Sequence, residues 1–118
     1  MPRTCFVDTW YFVALHDRFD QHHFRARSIR ARYGGELLVT HEAVLTEMLA
    51  FFSAQGAHAR AVAVTAARGA LRDIRVLSHD RRLFERALDL YAARPDKEYS
   101  LVDCMSMLVM RDRQITHV

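Results

Sequence analysis

Lysine is all but missing from this chain of 118 residues: Lys97 stands alone, and every other basic side chain is an arginine. A GC-rich coding sequence would produce that bias without any functional cause. Arginine's planar fork nevertheless pairs well with phosphate, so the bias leans toward a polyanionic partner. Cysteine is scarce too. Cys5 and Cys104 sit in apolar surroundings, with no CxxC and no Cys/His spacing. That excludes a zinc ribbon and a disulfide framework, and predicts two buried, reduced thiols of the kind cytosolic proteins carry. The seven histidines include no HExxH or HxH arrangement, and the adjacent His22 and His23 would point different ways on a helix. The apolar run 5–15 is interrupted by Asp8 and has neither a cleavage site nor a spanning length. A signal peptide and a membrane helix are therefore not expected, and the cytoplasm is the expected location.

What is present describes one soluble domain with one core. The apolar fraction is 51%, the charged fraction 26%, and the net charge +3. No repeat, linker or low-complexity tract divides the chain, so residues 1–118 form a single unit. Thr4–Val7 reads as a buried strand ending at Asp8 and feeding a helix from Thr9 to about His16. Phe24–Tyr33, with arginines at 25, 27, 30 and 32, reads as a helix stopped by Gly34-Gly35. Leu37–Val39 is a second strand, Glu42–Gln55 a helix and Ala57–Leu71 an alanine-rich helix. Ile74–Leu77 is a third strand and Arg81–Ala93 a helix. After the break at Pro95-Asp96, Ser100–Arg113 is a further helix, and Ile115–Val118 begins a fourth strand. Strands alternating with helices predict an α/β class domain, a three-layer α/β/α sandwich with a central parallel sheet. Ligands of such sheets bind at the carboxyl ends of the strands, where Asp8 and Thr40 fall.

Three acids stand where charge would gather at that edge: Asp8, Glu47 and Asp103. Each also has a purely structural explanation. Asp8 suits the N-cap of the next helix. Glu47, near the start of its helix, complements the helix dipole. Ser100-Leu-Val-Asp103 fits a capping box with Asp in the place of Glu. Carboxylates brought together from distant parts of a chain repel, however, and a hard divalent cation with oxygen ligands relieves that repulsion. Metal-assisted phosphodiester chemistry is the reaction class such a trio would serve.

The ordered set Val-Asp-Thr (7–9), Thr-x(6)-Glu (40–47) and Ser-x-x-Asp (100–103) resembles the PIN-domain ribonucleases, best known as VapC-type toxins of bacterial toxin–antitoxin pairs. The likeness runs from Phe6-Val7-Asp8-Thr9 to Arg113-Gln114-Ile115-Thr116 and is densest over Asp96–Cys104. It implies a metal-dependent endoribonuclease in which Asp8, Glu47 and Asp103 bind Mg²⁺ or Mn²⁺, with Thr9 and Ser100 hydrogen-bonding the carboxylates or water. It also implies an RNA substrate, a cognate antitoxin whose peptide fills an apolar groove, and a homodimer. Asp96 is a further acid near the late helix and reads first as a turn former. His41, beside the acidic edge, reads first as a helix-start residue that could touch RNA. His23 matches a structural histidine of the family.

The chain departs from the family pattern in one respect. Relatives carry a fourth acid after the strand that here begins at Ile115, in a Thr-x-Asp context, and a terminal strand beyond it. Both are missing by Val118, so a domain truncated at its C-terminus is expected, with a weaker metal site and an open sheet edge. The second reading is accordingly a non-catalytic RNA-binding or scaffold module with an incomplete site. A receiver-like phosphotransfer domain would need an acidic pair beside the first strand and a late lysine, and has neither. Arg25, Arg32, Arg81, Arg82 and Arg86 could steer phosphate, or form a solvated helix face. Trp10, Tyr11 and Phe12 are expected in the core. Phe51-Phe52 and Met105, Met107 and Met110 are expected to supply core or interface surface.

Overall fold

The computed structural model describes residues 4–116, with side chains omitted at 35 and 36. Three short strands, β1 (Cys5–Phe6), β2 (Leu38–His41) and β3 (Arg75–Leu77), form a parallel sheet in the order β1-β2-β3. Cys5 pairs with Leu38 and Phe6 with Val39, while Val39, Thr40 and His41 face Arg75, Val76 and Leu77. Parallel strands need a crossover between them, and helices supply each one. They are α1 (Thr9–His16) and α2 (His23–Leu37) before β2, then α3 (Glu42–Phe52) and α4 (Ala57–Asp73) before β3. α5 (Arg81–Ala93) and α6 (Leu101–Asp112) follow. This is the expected α/β sandwich with a central parallel sheet.

The core explains why the elements hold. Phe6, Tyr11, Phe12, Leu38, Val44 and Met48 are all almost completely buried and join β1, α1, β2 and α3 in one cluster. Small residues let α4 lie close: Ala63, Ala66 and Ala70 recur at helical spacing along its inner face. A second cluster, of Ala43, Ala87, Cys104, Met105 and Leu108, ties the start of α3 to α5 and α6. Cys5 and Cys104 are free and buried, and burial pushes both thiols above their ordinary pKa. Among the described residues no helix is long and apolar enough to cross a membrane.

Some boundaries differ from those read in the sequence. Gly34 does interrupt α2, at φ 67°, a left-handed value that suits a residue without Cβ. The helix nevertheless resumes and runs to Leu37, so β2 starts one residue later than expected. α3 ends at Phe52, where Ser53 turns back to donate its hydroxyl to the Ala50 carbonyl. Ile115 and Thr116 are not assigned to a strand, and residues 117–118 lie outside the described range. Trp10 is only half-buried, whereas Tyr11 and Phe12 are core. Phe51 is half exposed beside the buried Phe52.

Candidate active site

The site begins with chain direction. All three strands point the same way, so Asp8, His41 and the 78–80 turn arrive at one edge of the sheet. Asp8 is extended (φ −95°, ψ 180°) and caps α1, its Oδ1 accepting the Thr9 N–H at 2.8 Å. The structural explanation for this acid is thus realised, yet it uses only one carboxylate oxygen. Burial pushes the Asp8 carboxyl above the ordinary aspartate value; the Thr9 N–H opposes that, and the charge of Asp103 adds to it.

Asp103 reaches the same region from the far end of the sequence. Ser100 caps α6 with Oγ accepting the Asp103 N–H at 3.0 Å, and Asp103 Oδ2 accepts the Ser100 N–H at 2.9 Å. The capping box foreseen from Ser-x-x-Asp is complete, and it leaves Asp103 Oδ1 free of backbone. Glu47 stands half-buried in the second turn of α3. Among the described residues, no three His, Cys, Asp or Glu side chains gather closely enough to hold one ion. The structure therefore brings Asp8 and Asp103 within electrostatic reach of each other and does not draw Glu47 into a three-acid cluster. Asp96 is exposed in the turn after α5, 3.7 Å from Arg94 Nε, as a turn former should be.

The donors present fit a hard divalent cation. They are oxygens only, each aspartate keeps one oxygen that no backbone N–H uses, and the buried Thr9 hydroxyl lies beside Asp8, where it helps hold the carboxylate's charge. A cation there would offset the mutual repulsion that raises the Asp8 pKa. Thr40 braces the edge, its hydroxyl donating to the Val7 carbonyl at 2.8 Å, just before Asp8. His23 has the structural role expected of it: its Nδ1 lies 2.7 Å from the Ala14 carbonyl and joins α2 to the end of α1.

His41 is the buried member of the edge. It caps α3, with Nδ1 accepting the Ala43 N–H at 3.1 Å, and its ring lies 5.3 Å from that of His79. Burial and the neighbouring His79 push its pKa below the ordinary histidine value, against a weaker pull from Glu42. Of the groups around it the sequence reading named Arg82 and Arg86 but not Asp80, Asp112 or Arg113. Asp80 caps α5 with Oδ1 on the Leu83 N–H, and Arg86 forks onto Asp112 at 2.7 and 3.0 Å. An acid directly after the third strand was a signal for Asp80, parallel to that for Asp8. Asp112 and Arg113 gave none, because their place depends on how α6 docks.

Comparisons with known proteins agree with this fold. The family model for the PIN domain matches residues 5–118. Among solved structures, the crystal structure of Mycobacterium tuberculosis VapC20, described as a sarcin-ricin loop cleaving toxin, superposes with a TM-score of 0.84 at 29% identity. The match covers 95% of this chain and 85% of that one. No curated protein matches the chain.

Proposed function

The chain belongs to the PIN-domain family, and we propose that it is a metal-dependent endoribonuclease, the toxin half of a toxin–antitoxin pair. The observation that supports this reading is that Asp8, at the carboxyl end of β1, lies within electrostatic reach of Asp103, and each carboxylate keeps an oxygen that no backbone N–H uses. The similarity to a toxin that cleaves the sarcin-ricin loop supports RNA as the substrate class. Asp8 and Asp103 would hold Mg²⁺ or Mn²⁺, with Glu47 joining from α3. When bound, the ion supplies a Lewis acid for the scissile phosphate and a more acidic water as nucleophile.

The chain's own residues have separable tasks. Asp8 fixes its carboxylate by capping α1, and Asp103 does the same through the Ser100 box, so both are oriented before substrate arrives. Thr9, whose buried hydroxyl lies beside Asp8, would hydrogen-bond that carboxylate or a water. The proposal includes a homodimer in the cytoplasm and an antitoxin partner. A cleft of 450 Å³, walled by Tyr11, Phe12, Leu15, Leu38 and Ile74 and rimmed by charged side chains that include Arg30, Arg72 and Asp73, would offer a seat for an amphipathic antitoxin segment.

The other reading is a non-catalytic RNA-binding module. It is favoured by one observation, that Glu47 does not converge with the two aspartates. Calorimetric titration with Mn²⁺ separates the two. The nuclease reading expects saturable binding that Asp8→Asn and Glu47→Gln each weaken by tenfold or more. RNA binding with no detectable Mn²⁺ heat would support the module instead.

A further inference from the structure

We propose that the cleft between the β2 and β3 carboxyl ends and helices α5 and α6 is a subsite for an RNA phosphate neighbouring the scissile one, bound by His41, Arg82 and Arg113. This rests on the ribonuclease reading and specifies how the substrate backbone is held beyond the acids. The cleft encloses 810 Å³, and its lining includes His41, Asp80, Arg82, Arg86, Asp112 and Arg113.

The first argument is His41. Its residue is wholly buried, and its Nδ1 accepts a backbone N–H, so the neutral ring carries its proton on Nε2. Nε2 is also buried and has no hydrogen-bond partner. A buried donor without an acceptor is costly, and functional sites are where such a cost is retained. Because Nδ1 is turned to the start of α3, the donor at the other side of the ring is directed away from that helix. Burial and the neighbouring His79 favour the neutral ring, in which this nitrogen is a donor.

The second argument is charge. Both acids of the cleft are already occupied: Asp80 by the α5 N-terminus and Asp112 by the fork of Arg86. Among the described residues, the guanidinium groups of Arg82 and Arg113 make no hydrogen bond and no close ion pair. Arg82 belongs to the first turn of α5, whose N-terminus favours an anion. Arg82 also lends its charge to Asp112, but the cleft still presents two guanidinium forks with no hydrogen-bond partner among the described residues and one buried N–H, a donor set for a phosphodiester.

The third argument is position. In the parallel register His41 comes one strand over from Asp8, roughly 4.8 Å across the sheet. A single RNA strand crossing this edge would place one phosphate by the acids and another over the cleft. His79, its side chain 37% exposed, lies against the His41 ring and would have to shift for a phosphate to reach the buried Nε2.

The test measures binding of a fluorescein-labelled single-stranded RNA by anisotropy in EDTA, across a salt series, with melting curves for each variant. His41→Asn keeps an acceptor for the Ala43 N–H while removing the distal donor; Arg82→Ala with Arg113→Ala removes the forks. We expect the arginine pair to weaken binding roughly tenfold and to lower the salt slope by about 0.7, one phosphate's worth. His41→Asn should weaken binding several-fold at an unchanged salt slope, because a neutral group releases no counterion. Folded variants that bind with wild-type affinity and slope, while the wild type cuts RNA, overturn the subsite and leave the nuclease reading standing. Cleft-dependent binding by a wild type that does not cut supports the subsite and removes the nuclease reading. A wild type that does not bind RNA overturns both.

Discussion

Asp8 is asked to do two things that conflict. As an N-cap it suits its place, but as an anion it is partly desolvated and faces the charge of Asp103, and its pKa is raised for those reasons. A carboxylate whose folded pKa lies above its unfolded value contributes its full stabilisation below the unfolded value. The advantage disappears as pH rises through the folded pKa, above which the ionised group is a net cost. Asp8→Asn retains a capping oxygen and removes that cost. We therefore expect it to abolish cleavage yet slightly stabilise the protein above the folded pKa of Asp8, the gain being limited by the solvent screening of a group only partly buried. The gain should shrink to nothing as pH falls below the ordinary aspartate range. Thermal melts of both proteins from pH 3 to 8 check this. A variant less stable than wild type at neutral pH would show that Asp8 is held by a favourable partner instead. The same tension explains why the sequence could name Asp8 without deciding its role: cap and ligand need the same residue at the same place.

At the scale of elements, α6 positions its acid through its own first turn. Ser100 and Asp103 each satisfy the other's backbone N–H, so the carboxylate cannot swing without uncapping the helix. Ser100→Ala should cost about 1 kcal/mol of stability and lower cleavage by more than the lost folded population explains. Ser100→Thr should restore both, and denaturant melts run beside initial rates would separate the two effects. If the alanine variant lost stability but kept its rate, the box would be a helix stop and nothing more. Local signals of this kind were legible in the sequence. The Ser-x-x-Asp box, the strand-ending Asp8 and the start of α5 all came from spacing within a few residues. Where prediction slipped, the cause was tertiary. Gly34 breaks α2 as its chemistry demands, but β2 can pair with β1 only after Leu37, so the helix resumes in between. The His41 cleft was unreadable because Arg86 and Asp112 are brought together only by the packing of α5 on α6.

For the whole molecule, parallel strand order collects residues from positions 8, 41 and 78–80 at one edge, and α6 adds residue 103. The fold class and the place of Asp8 at a strand end followed from the alternation of strands and helices, since a parallel sheet with crossovers has only one edge where strands end. Glu47 shows where that reasoning stops: a helical residue's distance from a sheet edge depends on the tilt of its helix, which spacing does not encode. The central claim is that the acids of this edge cut RNA with a divalent ion. Its most direct test is incubation of a structured RNA mixture with the protein in Mn²⁺, in EDTA, and with Asp8→Asn in Mn²⁺, read as fragments on a denaturing gel. Discrete fragments in the first lane, none in the other two, is the predicted result. Equal cutting in EDTA or by Asp8→Asn would contradict it, and RNA bound intact in every lane would favour the binding module.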